Sequence, residues 1–376
     1  MSRRAYVSAE IFDGENLHHD KALLVESDVI RGICAVDDLP PGYDDVEMAG
    51  GTIMPGFVDL QVNGGGGVMF NDETSLDGLV TIAEAHAKTG TRALLPTLIT
   101  DTPERTQAAV EAVARAIEAN VPSIIGIHLE GPHLSIARKG AHDPSLIRRM
   151  EQKDEDFLLA AAGRLPNVMV TVAPESVTPA QIKRLSQAGV IVSLGHTDCG
   201  LDAALAAFDA GARCVTHLFN AMSQMGNREP GLVGATLRAP NVSAGLIADD
   251  IHVHAASMQV ALDAKQGPGE IFLVTDAMST VGSDVTEFQL NGRRVLRRDG
   301  KLMLEDGTLA GADLEIMRAL QILIEKLAIP KPRALRMATS AAARCLRKPL
   351  SFGTLSNSPV AHAIFLKDGC AEATPL

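Results

Sequence analysis

The sequence predicts an α/β protein, a (β/α)8 TIM-like barrel joined to a small β-sandwich domain formed from both chain ends. Apolar, β-branched runs near 54–61, 91–99, 123–130, 168–174, 190–196, 213–219, 242–249 and 270–276 alternate with stretches of helical periodicity. Eight such units over roughly 300 residues are what a parallel barrel needs. Most of the runs lack the period-2 alternation of a half-exposed strand, so they read as strands buried on both faces. The chain ends differ, being short strand-like pieces divided by turns.

Taken in order, residues 5–12, 21–26 and 29–36 read as strands, with Asp13-Gly14 and Pro40-Pro41-Gly42 between them. Alone they would leave open sheet edges. The tail has strand character over 360–366, so residues 1–53 and 352–376 are expected to form one composite β-domain around a barrel of residues 54–351. Helical segments are expected over 76–89, 103–120, 155–163, 179–188, 201–210 and 255–264. Residues 284–304 read as a hairpin inserted after the eighth strand, with Asn291-Gly292 as a type I′ turn. Residues 307–311 read as a loop placed to cover the barrel mouth.

Composition narrows the class. Across 376 residues, 46% are hydrophobic and 21% charged, which suits a globular chain with a large core. Aromatics make up only 3%, so that core must rest on Val, Ile, Leu and Ala. A net charge of −12 argues against nucleic acid or an anionic membrane as partner. A small anion held by a local cation stays compatible with it. The five cysteines, 34, 199, 214, 345 and 370, form no CxxC and suggest no disulfide framework, as in a reducing compartment. Cys199 reads as a buried spectator thiol. Without an apolar leader or a membrane-length apolar stretch, the expectation is a cytoplasmic protein. Gly64–Gly67 lacks the Gly-Lys-[Ser/Thr] ending of a phosphate loop.

In a barrel of this kind the site lies at the carboxyl ends of the strands. Those ends carry Gln61 and Asn63, Thr97, Glu130, Glu175, His196, His217, His252 and Asp276. Glu130, His196 and His217 are a carboxylate and two imidazoles, a set that holds a divalent metal and leaves a position open for water. Asp276 is then a candidate base.

The strings HLEGPH (128–133), KGAHDP (139–144), SLGHT (193–197), THLFNAM (216–222), REPGLVGA (228–235), ADDIHV (248–253), VTDAM (274–278) and GTLAG (307–311) resemble the N-acetylglucosamine-6-phosphate deacetylase family of the amidohydrolase superfamily. The resemblance implies removal of an acetyl group from a phosphorylated amino sugar, in amino-sugar breakdown and cell-wall recycling. It implies one divalent metal, Zn or Fe(II), on Glu130, His196 and His217, with Asp276 and His142 as catalytic groups. Substrate contacts would be Ala141, His142, Asn220, Ala221, Arg228, His252, Leu309, Ala310 and Gly311, with Gln61 beside them. Arg228 is the expected phosphate partner. Homodimers or homotetramers are expected.

The first strand bears Gln61-Val-Asn63 where binuclear relatives carry His-x-His, and amides ligate metals poorly beside imidazole, so a single metal is expected. His254 is expected to start a helix. Asp250 stands where the family usually has Gly, and His133 stands in a usually apolar position, read as a spectator. The 223–227 loop also departs from the family pattern. Two other readings stay open: an amidohydrolase for a different amide or N-acetylhexosamine phosphate, and a non-catalytic barrel serving as a binding module, against which the retained Glu130, His196, His217 and Asp276 count.

Overall fold

The computed structural model describes residues 2–376. At its centre stand parallel strands β1 (Phe57–Val62), β2 (Thr91–Ile99), β3 (Ile127–Glu130), β4 (Val168–Val172), β5 (Ile191–Leu194), β6 (Cys214–Val215), β7 (Ser243–Leu246) and β8 (Ile271–Leu273). They pair in sequential order. The ring closes where the N–H of Asp276 donates to Gln61 O (3.0 Å) and that of Asn63 to Ala277 O (2.8 Å). Strands β1, β3, β4 and β5 are buried at every residue, as their unbroken apolar character requires.

Helices Leu76–Ala87, Pro103–Glu118, Gln152–Arg164, Pro179–Gln187, Leu201–Asp209, Gly231–Arg238 and Ala255–Ala264 surround the strands. Several begin where the sequence supplies a cap. Ser75 Oγ accepts from Gly78 N, Thr102 Oγ1 from Arg105 N ahead of Pro103, and Thr178 forms a capping box with Gln181. His254 caps Ala255–Ala264 with its side chain. The Gly231–Arg238 helix was not foreseen, because it opens on Gly directly after Pro230 and has no polar cap. One continuous apolar cluster, with Leu79, Val113, Val170, Ile182 and Leu232 among its members, fills the space between strands and helices.

The small domain is two sheets. One is Val29–Ala35, Lys21–Glu26, Arg3–Val7 and Asp44–Glu47; the other is Ala373–Pro375, Ala363–Lys367, Gly51–Pro55, Glu10–Phe12 and Leu17–His18. Tyr6, Leu23, Ile30, Ile53 and Phe365 pack together in its own core. Two expected strands divide here. The 5–12 run breaks at Ser8 (φ +69°), which sends its halves to different sheets. The 54–61 run breaks at Gly56, where an added Cβ would lie 2.1 Å from the Arg92 side chain. Met54 therefore belongs to the small sheet and Phe57 to the barrel.

The inserted segment is a four-stranded sheet of Glu287–Leu290, Arg293–Arg298, Lys301–Leu304 and Leu309–Ala312. The Asn291-Gly292 turn sits at its first hairpin, both residues having positive φ. The expected 307–311 loop is largely its fourth strand. Among the described residues, no helix is long and apolar enough to cross a membrane.

Strand Ala363–Lys367 pairs with Gly51–Pro55 along its whole length, and Ile364 is fully buried against the main core. Ile364→Ala should therefore cost about 2–5 kcal/mol. The expected sign is a lower denaturation midpoint at an unchanged denaturant slope.

Candidate metal and catalytic centre

Glu130 ends β3, and His196 and His217 follow β5 and β6 in left-handed backbone, at φ +48° and +32°. Those bends turn both imidazoles over the barrel axis toward the carboxylate. Glu130 Oε1 lies 3.1 Å from His196 Nε2 and 3.0 Å from His217 Nε2, and the two ring nitrogens are 3.1 Å apart. His196 Nδ1 is 2.9 Å from the Arg138 carbonyl, which can only accept, so Nδ1 carries the proton and Nε2 presents a lone pair. Glu130 Oε1 and His196 Nε2 are thus two acceptor atoms 3.1 Å apart, a crowding that a metal ion held by these residues would relieve. A hydrogen bond from the far ring nitrogen to a carbonyl is also the usual support of a metal-ligating histidine. Glu130 is buried, which favours its neutral form, but where His196 and His217 donate to it, in the place a metal ion would take, their hydrogen bonds and charge outweigh that and hold it well below the usual carboxylate range.

His142 comes near the same group: its ligand atom, one from Glu130 and one from His196 all lie within 4.8 Å of each other. Its ring, however, has the opposite tautomer. The backbone N–H of Thr100 donates to His142 Nδ1 (3.3 Å), with Thr100 Oγ1 2.7 Å from the same atom. Nδ1 is therefore the acceptor and Nε2 bears the proton. Burial, then the neighbouring His196, pushes His142 well below the usual imidazole range. A neutral ring with Nε2–H is a hydrogen-bond donor and not a ligand, so the trio with 3.0–3.1 Å edges is the better metal set.

Asp276 follows β8, also at positive φ (+52°). Asn63 Nδ2 (2.7 Å) and Gln61 Nε2 (3.1 Å) donate to its Oδ1, and Gln61 Nε2 also reaches both oxygens of Glu130 at 3.2 Å. Burial first, and the charge of Glu130 second, raise the Asp276 pKa to about 6. Further support comes from Glu175, which accepts from Thr197 Oγ1 (2.5 Å) and Asp198 N (2.8 Å) and so fixes the turn behind His196.

These groups face a cavity of about 410 Å³. Ala141, His142, Asn220, Ala221, His252, Leu309 and Gly311 line it together with Glu130, His196, His217 and Asp276. Three expected contacts do not. Arg228 is exposed and makes no side-chain ion pair among the described residues. Ala310 is fully buried in the inserted sheet, because in a strand it faces away from Leu309 and Gly311. Gln61 lies below the cavity as a brace between the two carboxylates. Thr97, read as a strand end, is inside the barrel accepting from Val62 N (3.0 Å), since β2 continues to Ile99. Thr100 and Arg138, which the sequence reading missed, border the site instead.

His133 lies outside this cavity. Its Nδ1 meets the Arg148 carbonyl at 3.1 Å, and burial pushes it down to about 4. Asp250, at φ +59°, caps Ala255 N (2.7 Å) with Oδ1 and pairs with Lys326 through Oδ2. Those bonds offset the left-handed strain that glycine would avoid. Cys199 is buried, which pushes its thiol up to about 11.

A closed barrel with a carboxylate, two histidines and an aspartate at its strand ends is the architecture of a metal-assisted hydrolase. The amidohydrolase family model matches residues 52–367, and the chain belongs to that metal-dependent family. An N-acetylgalactosamine-6-phosphate deacetylase of Shewanella sp. (strain ANA-3) is 41% identical over 96% of this chain and 91% of its own. An N-acetylglucosamine-6-phosphate deacetylase of Haemophilus influenzae is 32% identical over 96% and 94%. The crystal structure of N-acetylglucosamine-6-phosphate deacetylase from Pasteurella multocida superposes with a TM-score of 0.92 at 32% identity, covering 99% of this chain and 97% of that one.

Removing the donor at His142 should lower kcat by about 10²–10³-fold, the usual loss for one oxyanion-stabilising group. Thr100→Val should reproduce part of that loss with KM little changed, and Thr100→Ser should restore it. Steady-state kinetics on the three variants decide whether Thr100 acts through His142.

Proposed function

We propose that this protein removes the acetyl group from N-acetyl-D-glucosamine 6-phosphate, giving D-glucosamine 6-phosphate and acetate. One observation carries the reading: the Asp276 carboxylate, the neutral His142 imidazole and the converging Glu130, His196 and His217 side chains face one cavity. We assign one divalent ion per chain, Zn or Fe(II), to Glu130, His196 and His217. When bound, such an ion lowers the pKa of a water and polarises a carbonyl.

The protein's own groups supply the proton transfers. Ionised Asp276 accepts a proton from the attacking water, held in place by Gln61 and Asn63. His142 Nε2–H donates to the acetamide oxygen as negative charge gathers there. Asp276 then delivers its proton to the departing nitrogen, which is a poor leaving group until protonated. Ala141, Asn220, Ala221, Leu309 and Gly311 shape the cavity around the sugar, and His252 borders it from the β7 side.

Arg228 stands outside its own cavity, so in this reading it reaches the sugar phosphate of a neighbouring copy in a homodimer or homotetramer. The proposed location is the cytoplasm, where hexosamine phosphates are formed. The 4-epimer, N-acetyl-D-galactosamine 6-phosphate, is the second reading, and the 41%-identical relative named for it favours it.

Acetate release measured on both N-acetylhexosamine 6-phosphates and on the unphosphorylated sugars tests the proposal. Turnover of a phosphorylated sugar, with a preference of several hundredfold over the free sugar, is expected from charge-assisted phosphate contacts. Absence of turnover by metal-loaded protein sinks it. Purified protein should hold about one metal per chain by elemental analysis, and chelation should abolish activity.

Asp276→Asn should lower kcat by about 10²–10⁴-fold without unfolding the protein. Because Asp276 works only when ionised and its pKa is raised to about 6, kcat/KM should fall as pH drops through about 6 or lower, a bound cation favouring the carboxylate. A flat acid limb down to pH values well below 5 in the wild type, or near-full turnover by Asp276→Asn, would remove Asp276 as the base.

A further inference from the structure

His252 borders the cavity with one edge of its ring and is held by a carboxylate at the other. Asp249 Oδ2 lies 2.6 Å from His252 Nδ1, and both side chains are more than nine-tenths buried. The other oxygen, Oδ1, accepts the backbone N–H groups of Ile251 (2.9 Å) and His252 (2.8 Å), closing the turn that carries the histidine. Burial works against ionisation of Asp249, but the hydrogen bond and charge from His252 lead the effects that outweigh it, and its carboxyl is held below the usual range. An ionised carboxylate only accepts, so His252 Nδ1 carries a proton and Nε2 is the free edge. Among the described residues, Nε2 makes no side-chain hydrogen bond.

The other basic groups near the mouth are differently engaged. Arg138 borders the cavity but pairs with Asp198 at 2.8 Å, and Arg293 donates to the Ala141 carbonyl. His252 is thus the basic group of this chain that borders the cavity with its outward nitrogen uncommitted. A carboxylate behind an imidazole fixes its tautomer and its orientation, as it does where a buried Asp supports a catalytic His. Asp250, next in sequence, anchors the same turn to Lys326 and to Ala255 N, so the dyad stands on a fixed backbone.

We infer that Asp249 is a positioning residue for phosphate recognition, holding His252 Nδ1–H and so fixing the Nε2 edge of the ring toward the substrate's phosphoryl group. This rests on the phosphorylated-sugar reading above. The role of Asp249 is selectivity for the phosphoryl group, acting through His252 without contact to the reacting atoms.

Asp249→Asn keeps Oδ1 for the turn and exchanges Oδ2 for an amide that cannot accept from Nδ1. The test compares wild type, D249N, H252N and the double variant in acetate release from N-acetylglucosamine 6-phosphate. Calorimetric binding of glucosamine 6-phosphate and of glucosamine accompanies it. Loss of a charge-assisted bond predicts that D249N raises KM and weakens glucosamine 6-phosphate binding about tenfold, with kcat within about threefold and glucosamine binding unchanged. In the H252N background, D249N should add no more than about twofold, since the two act as one unit.

An unchanged KM in D249N overturns the inference. So does an equal further loss in the H252N background, or a matching loss of glucosamine affinity; each points to a role in the turn alone. If the wild type hydrolyses no N-acetylhexosamine phosphate yet binds glucosamine 6-phosphate with this dependence on Asp249, the proposed reaction fails and the role of the dyad stands.

Discussion

The centre depends on one crowded triangle. Glu130 Oε1, His196 Nε2 and His217 Nε2 lie within 3.1 Å of each other in a site that excludes most water. Lone pairs in that arrangement repel unless positive charge lies among them, and buried charge must be compensated. The fold supplies the force that keeps them there. Each residue sits at the end of a strand whose neighbours are buried on both sides, so the cost of crowding is spread over the barrel core. His196, His217 and Asp276 all take left-handed backbone, and such conformations persist where surrounding structure over-determines them.

Three imidazoles around the cavity differ in what their remaining nitrogen can offer. What differs is the partner of Nδ1. For His196 it is a carbonyl, which leaves Nε2 as a lone pair suited to a metal. For His142 it is a backbone N–H, which leaves Nε2–H suited to a developing oxyanion. For His252 it is a carboxylate, which holds Nδ1–H and leaves the Nε2 edge at the cavity. Local chain geometry sets each partner: the segment after Ser135 brings the Arg138 carbonyl, the end of β2 brings Thr100, and the turn after β7 brings Asp249.

Much of this was legible in the chain. Unbroken β-branched runs identified the barrel, and polar residues closing those runs singled out Glu130, His196, His217 and Asp276, which the fold brings to one cavity because strand ends are where a barrel places its chemistry. What the sequence hid was direction. Thr97 and Thr100 are both near the end of β2, and three residues of uncertainty in the strand terminus exchange an internal hydrogen-bond acceptor for a partner of His142. The 307–311 stretch read as a loop, and only as a strand does alternation set Ala310 apart from Leu309 and Gly311. Arg228 had the right chemistry for a phosphate, but a motif does not say which way its loop faces. Asp249 was overlooked because an Asp-Asp pair in a turn reads as solvated charge, whereas here each carboxylate has its own buried or helical partner.

Gln61 and Asn63 set the surroundings of the carboxylate proposed as the base. Two imidazoles in their place would be ligands for a second cation, which would neutralise the carboxylates near it. Here two amides donate hydrogen bonds instead, and an amide brings direction without net charge. Without an ion, burial first and the charge of Glu130 second raise the Asp276 pKa to about 6, and an ion held by Glu130 would offset part of that rise. A cation in the amides' place would favour the ionised carboxylate and weaken it as a proton acceptor. The amide pair thus fixes the orientation of Asp276 while leaving it basic enough to take a proton from water and acidic enough to return it to the amine.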